Sequence, residues 1–563
     1  MLVGTRASGQ DLFDRFKQKA DERYDNFRDQ CNARYAKFLA EGWKKFRGEK
    51  PVPVPDEHDK LPKDVLEKMK DPTMMVAEVK TDETTDGVRF RGAMMKVREF
   101  FGGKPAKPMV EMRSDYEQRK AARMEAQRKE REEQAKREEL AKQAAQNNVA
   151  KVQKEVPTTP VTVPTPVTVP TPVTVPAEEK HQRKHEFSYY GTLMAVDMGD
   201  LPEKLHIRDV QPQTVSNAWT LCSKKQYVGL IQDCLELRDQ YSLCDWAYLQ
   251  MLKAMADAHL GADSNESTFL TAYIYCQSGY RIRLAQSDGK LLMLYGSEHT
   301  VYNQPFIKMD GMNLYPLGAK VSRLSTIQAC DKAINDSEQP MSLLMAEEPA
   351  LEATASKARR IESDKYPEVS MEVSVNENLI KFFNDYPVSG ASSDPLSKWA
   401  MYANTPLAEE VKAQIYPGLQ NALSGLSEQD QVRRLLSLLQ PREWDKPQTS
   451  LRYEYDDKVW GHDRVFFAEE TLFYPTSDCE DHAILFSRLV RDLLGLKAML
   501  VYYPGHLAAA VQFSKPLTGK YQDRLVLENG DEYYICDPTN YIPEPGVTME
   551  GMNNAQAKVV LLD

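Results

Sequence analysis

Between Pro160 and Pro176 the chain reads PVTVPTPVTVPTPVTVP, a six-residue repeat with a proline at every second to fourth position. Each proline fixes φ near −65° and removes a backbone donor, so neither a helix nor a central strand can form here. Extended polyproline II is what remains, at ~3.1 Å per residue or roughly 50 Å for the repeat. With its flanks (156–180) it reads as a spacer. It divides the chain into a helical N-terminal part and a globular C-terminal part.

The N-terminal part opens with an aromatic stripe. Phe13, Tyr24, Tyr35 and Phe46 recur every eleven residues, as do Phe16, Phe27 and Phe38, and the pair Ala20 and Cys31. Eleven residues over three turns is ~3.67 per turn, close to a straight helix. The stripe therefore stays on one face, with Lys, Arg, Asp and Glu on the other. Residues 1–48 read as one long amphipathic helix. It either packs on its own protein or serves self-association or docking to a partner. The prolines of KPVPVPDEHDKLP end it, and 49–113 reads as a linker with an undefined segment. Residues 114–155 are helix formers with few apolar positions, a solvated, charge-paired helix.

A chain of 563 residues is too long for one core, and three or four units are expected. The net charge of −11 argues against nucleic acid as a partner, because no positive excess exists to displace counterions. No apolar run approaches the ~20 residues that span a bilayer. The eight cysteines contain no CxxC pair, so zinc-knuckle and thioredoxin chemistry lack support. MLVGTRASGQDLF has no apolar signal-peptide core, yet its small residues resemble a cleavage region. The expectation is a periplasmic or secreted protein whose true start lies upstream; the alternative is cytoplasmic.

From about Phe187 the composition becomes globular. LCDWAYLQMLKAMADAHLG (243–261) has helical apolar spacing, and SNESTFLTAYIYCQSGY reads as a second helix ending near Gly279. YRIRLAQSDGKLLMLYG reads as a hairpin turning at Ser-Asp-Gly. The polar, Ala/Glu/Ser-rich stretch 333–375 reads as a linker, between an α+β domain (187–332) and a last domain (376–563).

The last domain contains YPTSDCEDHAILFSRLVRDLLGL, from Tyr474 to Leu496. A cysteine used only for packing would normally have apolar neighbours, and this one is set among three acids. Ser477 can cap the helix and Glu480 can close a capping box. Cys479 would then sit near the positive end of the helix dipole, which favours thiolate. Asp478, Glu480 and Asp481 oppose that, so a cation must offset them. His506, after the Pro-Gly step of LKAMLVYYPGHLAAAVQF, can be that cation. Asp537, at the end of the strand EYYICDPTNY, can hold its distal nitrogen. Nucleophile, base and orienting acid in the order Cys, His, Asp suffice for acyl transfer through a thioester.

In DCEDHAILFSRLVRDLLGL, YYPGHLAAAV and YYICDPTNY this region, about 376–563, resembles the transglutaminase-like branch of papain-fold cysteine enzymes. With the aromatic N-terminal helix and proline spacer it is similar to members from gut Bacteroidetes. The resemblance implies catalytic Cys479, His506 and Asp537, and a supporting Asp481. It also implies an upstream side-chain oxyanion donor, for which Trp460 and Tyr474 are the candidates. Fold class is thus α+β, with a C-terminal transglutaminase-like core and N-terminal long helices joined by the proline-rich linker. The middle domain reads as a possible degenerate copy of that core. An offset of 216 carries Gly279 onto Gly495, places Asp263 at the Cys479 position and Lys290 at the His506 position.

The expected activity is attack of Cys479 on a peptide or amide carbonyl, with protein, peptide or peptidoglycan-stem substrates. Hydrolysis is favoured over cross-linking, because bacterial members of the resembling superfamily are more often hydrolases. The alternative is a non-catalytic scaffold keeping a relic triad. No cofactor is expected. Cys479 and His482, at i and i+3, would make half a metal site but lack two further ligands nearby. Cys536 reads as core, facing away from Asp537, and His462 as a surface or supporting histidine.

Overall fold

The computed structural model describes residues 9–54, 88–89 and 106–113, six helical positions between 118 and 129, and from residue 183 onward all but 319–325, 392–395, 442–450 and 563. The spacer 156–180, most of the charged helix 114–155 and most of the segment 49–113 lie outside the described residues. Where helix 114–155 is described it is exposed, and Lys129 pairs with Glu125 at i, i+4. The chain is α+β, and no helix among the described residues is long and apolar enough to cross a membrane.

Two six-stranded sheets organise it. The first contains β1 (Lys44–Arg47), β3 (Ile282–Ser287), β4 (Lys290–Gly296), β5 (Ile307–Met309), β6 (Met312–Pro316) and β7 (Thr326–Ala329), in the order β1-β7-β3-β4-β6-β5. The second contains β2 (Val88–Arg89), β8 (Ala498–Tyr503), β9 (His506–Val511), β10 (Arg524–Val526), β11 (Glu532–Cys536) and β12 (Lys558–Leu561). Its order is β2-β10-β11-β9-β8-β12. Without the outermost strands β1 and β2, the two orders are one topology: β7-β3-β4-β6-β5 repeats as β12-β8-β9-β11-β10, antiparallel at each step.

The duplication extends to register. An offset of 216 carries β3 onto β8 and the start of β4 onto the start of β9. Ser287 faces Lys290 as Tyr503 faces His506. Both hairpins turn through two residues, Asp288-Gly289 and Pro504-Gly505, with positive φ at each glycine. A helix precedes each: Asn265–Gln277 before Gly279 (φ 96°), and Cys479–Leu489, extended by a π turn to Leu494, before Gly495 (φ 65°). Both glycines stop a helix in backbone that side-chain-bearing residues avoid. Every residue of β8 and β9 is buried. One face packs toward the nucleophile helix through Leu500, Leu507 and Ala509, the other into a second core of Met499, Val501 and Ile535.

Three expectations are corrected. The first helix runs from Gly9 to Ala40 only, and Phe46 lies in β1, paired with Ile327. Part of the stripe packs on the first unit. Tyr35 packs on Trp219 with the rings tilted at 59°, and Asn32 accepts from Trp219 Nε1 at 2.9 Å and from Gln277 Nε2 at 2.8 Å, whereas Tyr24 and Phe27 are exposed. Residues 333–375 are built into the fold rather than linking it. Met341, Leu343 and Met345 are buried at strand period amid polar neighbours, and 359–373 forms a hairpin. Nor is the N-terminal part held apart from the globular part. Arg113 Nη1 binds Asp233 and Glu236 at 3.0 Å each, and Arg183 binds the same two carboxylates at 3.3 and 2.5 Å.

Candidate active site

The nucleophile is delivered by two short parallel strands. Arg452–Tyr453 pairs with Thr476–Ser477, with Tyr453 opposite Ser477, and two residues on the helix begins at Cys479. The N-cap is Asp478, in extended backbone at φ −117°, one residue later than the sequence suggests. Ser477 is committed to the strand pair, and its buried hydroxyl has no hydrogen-bond partner among the described residues. The reciprocal acid is Asp481 rather than Glu480. Its carboxylate accepts from Asp478 N–H at 3.2 Å and from Phe466 N–H at 2.9 Å, tying the 463–467 loop to the helix start. Asp481 thus positions the helix that carries Cys479.

His506 begins β9, and Asp537 directly follows β11, the neighbouring strand. The pair is joined by Nε2 of His506 and Oδ2 of Asp537 at 2.7 Å, with both side chains buried. The other oxygen, Oδ1, accepts from Thr539 N–H at 2.9 Å and Thr539 O–H at 2.8 Å. Burial pushes the Asp537 carboxyl up. The charge and hydrogen bond of His506, together with Thr539, outweigh it and hold the group below its ordinary value. Asp537 is therefore an acceptor, Nε2 carries the proton, and Nδ1 is the basic nitrogen. Nδ1 is buried with no hydrogen-bond partner among the described residues.

Cys479 is 2 % exposed, and the helix it begins packs along β9. The amide of Leu507, next in chain to His506, points at its sulfur. The sulfur's hydrogen is directed elsewhere, to Oε2 of Glu480 at 3.2 Å. Burial, then the charges of Glu480 and Asp478, raise the thiol well above its ordinary range. The helix-terminus bias toward thiolate does not prevail in this arrangement: the resting group is a thiol, held on a carboxylate.

The neighbouring acids are themselves buried. Burial first, then mutual repulsion, raises Asp478 and Asp481 well above the carboxylate range and Asp456 to about 8. Oxygens of Asp456, Asp478 and Asp481 lie within 4.8 Å of one another. Among the described residues this set could hold a hard, oxygen-ligated cation, and a second set, the Cys479 sulfur with oxygens of Asp478 and Glu480, is as close-set, so Cys479 does have two further potential ligands beside it. His482 is not a partner in such a site. Its Nδ1 bonds the Leu439 carbonyl at 2.8 Å, and burial lowers its pKa to about 4.

Trp460 and Tyr474 flank Arg464 rather than an evident oxyanion position. The guanidinium lies 4.8 Å from the Trp460 ring, 5.1 Å from Phe466 and 5.5 Å from Tyr474, and it pairs with Glu470. The Tyr474 hydroxyl donates to Asn384 at 3.0 Å. His462 is exposed, and Cys536 is in the core. One supporting residue is not among those expected from the sequence. Thr539 was legible in Asp-Pro-Thr, a side chain accepting from the amide two residues on.

The first unit holds none of this chemistry at the matching positions. Asp263, at the Cys479 position, is largely exposed and paired with Lys253 at 2.9 Å; Lys290 begins β4 where His506 begins β9. Leu317 and Gly318 follow β6 where Cys536 and Asp537 close β11. Compared with known proteins, the chain matches no family model, no curated protein and no solved structure.

Proposed function

We propose that this chain is a cysteine-dependent acyl-transfer enzyme of transglutaminase-like type, acting on peptide or amide bonds, with water as the preferred acceptor. One observation carries the reading: a buried His506–Asp537 pair at 2.7 Å leaves Nδ1 unpartnered among the described residues, on the residue preceding the amide that points at the Cys479 sulfur. In this reading Nδ1 takes the thiol proton, Sγ attacks the carbonyl, and His506 returns the proton to the leaving amine. Water then resolves the thioester, with His506 as base. Substrates are proteins, peptides or peptidoglycan stems, and the protein works in the periplasm or outside the cell.

A second reading, a scaffold with a relic triad, draws on the sulfur's hydrogen bond to Glu480 in place of the ring and on a first unit without the triad. Intact-mass and peptide mapping after brief iodoacetamide exposure near pH 6 separates the two. Ordinary thiols, with pKa ~8.5, are mostly protonated there. The resting Cys479 is a thiol too, so the enzyme reading expects His506 to take its proton as the electrophile enters, and Cys479 to be alkylated ahead of Cys244, the one cysteine of the eight that is not buried. That preference should vanish in His506→Ala. Equal, slow labelling in both proteins favours the scaffold.

A further inference from the structure

Residues 341–351 are pinned to the first unit at both ends. Met341 N–H donates to the Gly296 carbonyl at 2.8 Å, and Ala350 N–H to the Tyr241 carbonyl at 2.9 Å. Between these anchors Glu348 reaches Glu469, on the short helix Ala468–Phe473 of the last domain, and the two side chains bond each other. Glu469 is buried, and its Oε1 accepts from Ala408 N–H at 2.5 Å. Oε2 of each glutamate is enclosed with no donor among the described residues. Two carboxylates offer only acceptors, so the contact exists only with a proton in it. Burial raises both carboxyls; the bond itself adds to the rise of Glu348 and works against that of Glu469, so Glu348 is the donor. Around the pair, Glu410 opposes ionisation, and Lys412, itself paired with Glu409 at 2.8 Å, favours it. The Glu469 helix packs on the nucleophile helix, where Thr471 O–H donates to the Asp481 carbonyl at 3.5 Å.

We propose that Glu348 and Glu469 form a proton-held clasp by which the first unit, lacking the triad, holds the helix behind Cys479, and that the clasp opens as the pH rises. Opened, both carboxyls meet water and titrate at ~4.3. Above that pH each opening therefore sheds the Glu348 proton to water. It sheds a second from Glu469 as long as that group, raised by burial to about 7, still holds one. The closed form binds more protons and is favoured at low pH. Each proton shed makes opening about tenfold easier per pH unit, from about pH 4 upward. The clasp acts on the seating of Cys479 whatever chemistry that sulfur performs, so it stands apart from the acyl-transfer reading.

Hydrogen exchange on the full chain reads the clasp directly. A peptide covering 343–350 is followed by mass at pH 5 and pH 7, with the intrinsic pH dependence of amide exchange divided out. Protection in the wild type should fall about 10²-fold across those two units with one proton shed per opening, and further with the second. Glu348→Gln supplies a donor that needs no added proton, and the double variant Glu348→Gln, Glu469→Gln removes both titrating groups. The fall should shrink in the first and vanish in the second, with circular dichroism establishing that each is folded. Should the double variant not fold, the single one decides. Wild-type protection that changes by less than about threefold overturns the clasp. So does a fall as steep in the variants as in the wild type.

Discussion

Asp537 grips His506 with one oxygen only: Oδ2 meets Nε2 at 2.7 Å, while Oδ1 is occupied by the amide and hydroxyl of Thr539. The carboxylate is locked before it meets the ring, so the imidazole has one orientation and one tautomer in which Nδ1 is free to act.

Asp537→Asn tests that lock. An amide donating to Nε2 would move the ring proton to Nδ1 and block the base without removing a side chain. The expected outcome is a loss of about 10³-fold in acetylation of Cys479 by p-nitrophenyl acetate with the fold intact, read by mass and circular dichroism. Retention of activity would show that the tautomer does not matter here.

Thr539→Val keeps the shape and removes one of the two donors to Oδ1. The amide bond remains, so the cost should be modest, about 1 kcal/mol in urea unfolding. A several-fold slower acetylation should accompany it. A larger activity loss than Asp537→Asn would contradict the positioning role.

Glu480→Gln removes a charge that raises the Cys479 thiol. The pH dependence of iodoacetamide labelling at Cys479 should move toward lower pH, because the thiolate is no longer opposed by that carboxylate. No shift would mean that Glu480 is already neutral in the folded protein, and a shift toward higher pH would mean that Glu480 does not oppose the thiolate.

Glu469, whose carboxylate accepts from Ala408 N–H at 2.5 Å, faces Glu348, and burial raises it to about 7. The folded chain therefore keeps a proton that the unfolded chain, with pKa ~4.3, has lost. Stability from this group is present below about pH 4 and declines as the pH rises toward 7. Glu469→Gln preserves an acceptor for Ala408 and removes the charge. Its melting temperature should fall less than that of the wild type between pH 5 and pH 8, as followed by calorimetry.

Asn32→Ala addresses the docking of the first helix. The change strands Trp219 Nε1 and the Gln277 amide in the core, at a cost of about 2–4 kcal/mol by denaturant unfolding. An unfolding midpoint equal to that of the wild type would mean that the helix is not part of the cooperative body.

What the sequence made legible depended on local periodicity. The two helix–glycine–hairpin units, the Cys, His and Asp positions and the offset between the copies are all written in neighbouring residues. What it hid depended on distant partners. Ser477 resembles an N-cap until Arg452–Tyr453 claims its strand, which moves the cap to Asp478. Phe46 continues a helical stripe until Ile327 offers it a strand. Tyr453 comes to lie opposite Ser477 only through that same parallel pair, and the buried Met341, Leu343 and Met345 were masked by the acids, serines and alanines around them.

The shared grip of Arg113 and Arg183 on Asp233 and Glu236 gives the proline repeat a different setting from a rod between two bodies. Arg113 and Arg183 meet at one ionic knot, so the two ends of the intervening stretch are held as neighbours. Closure entropy grows only with the logarithm of length, about 0.6 kcal/mol for each doubling. Whole six-residue units can therefore be gained or lost from the repeat at almost no thermodynamic expense to the body that anchors it.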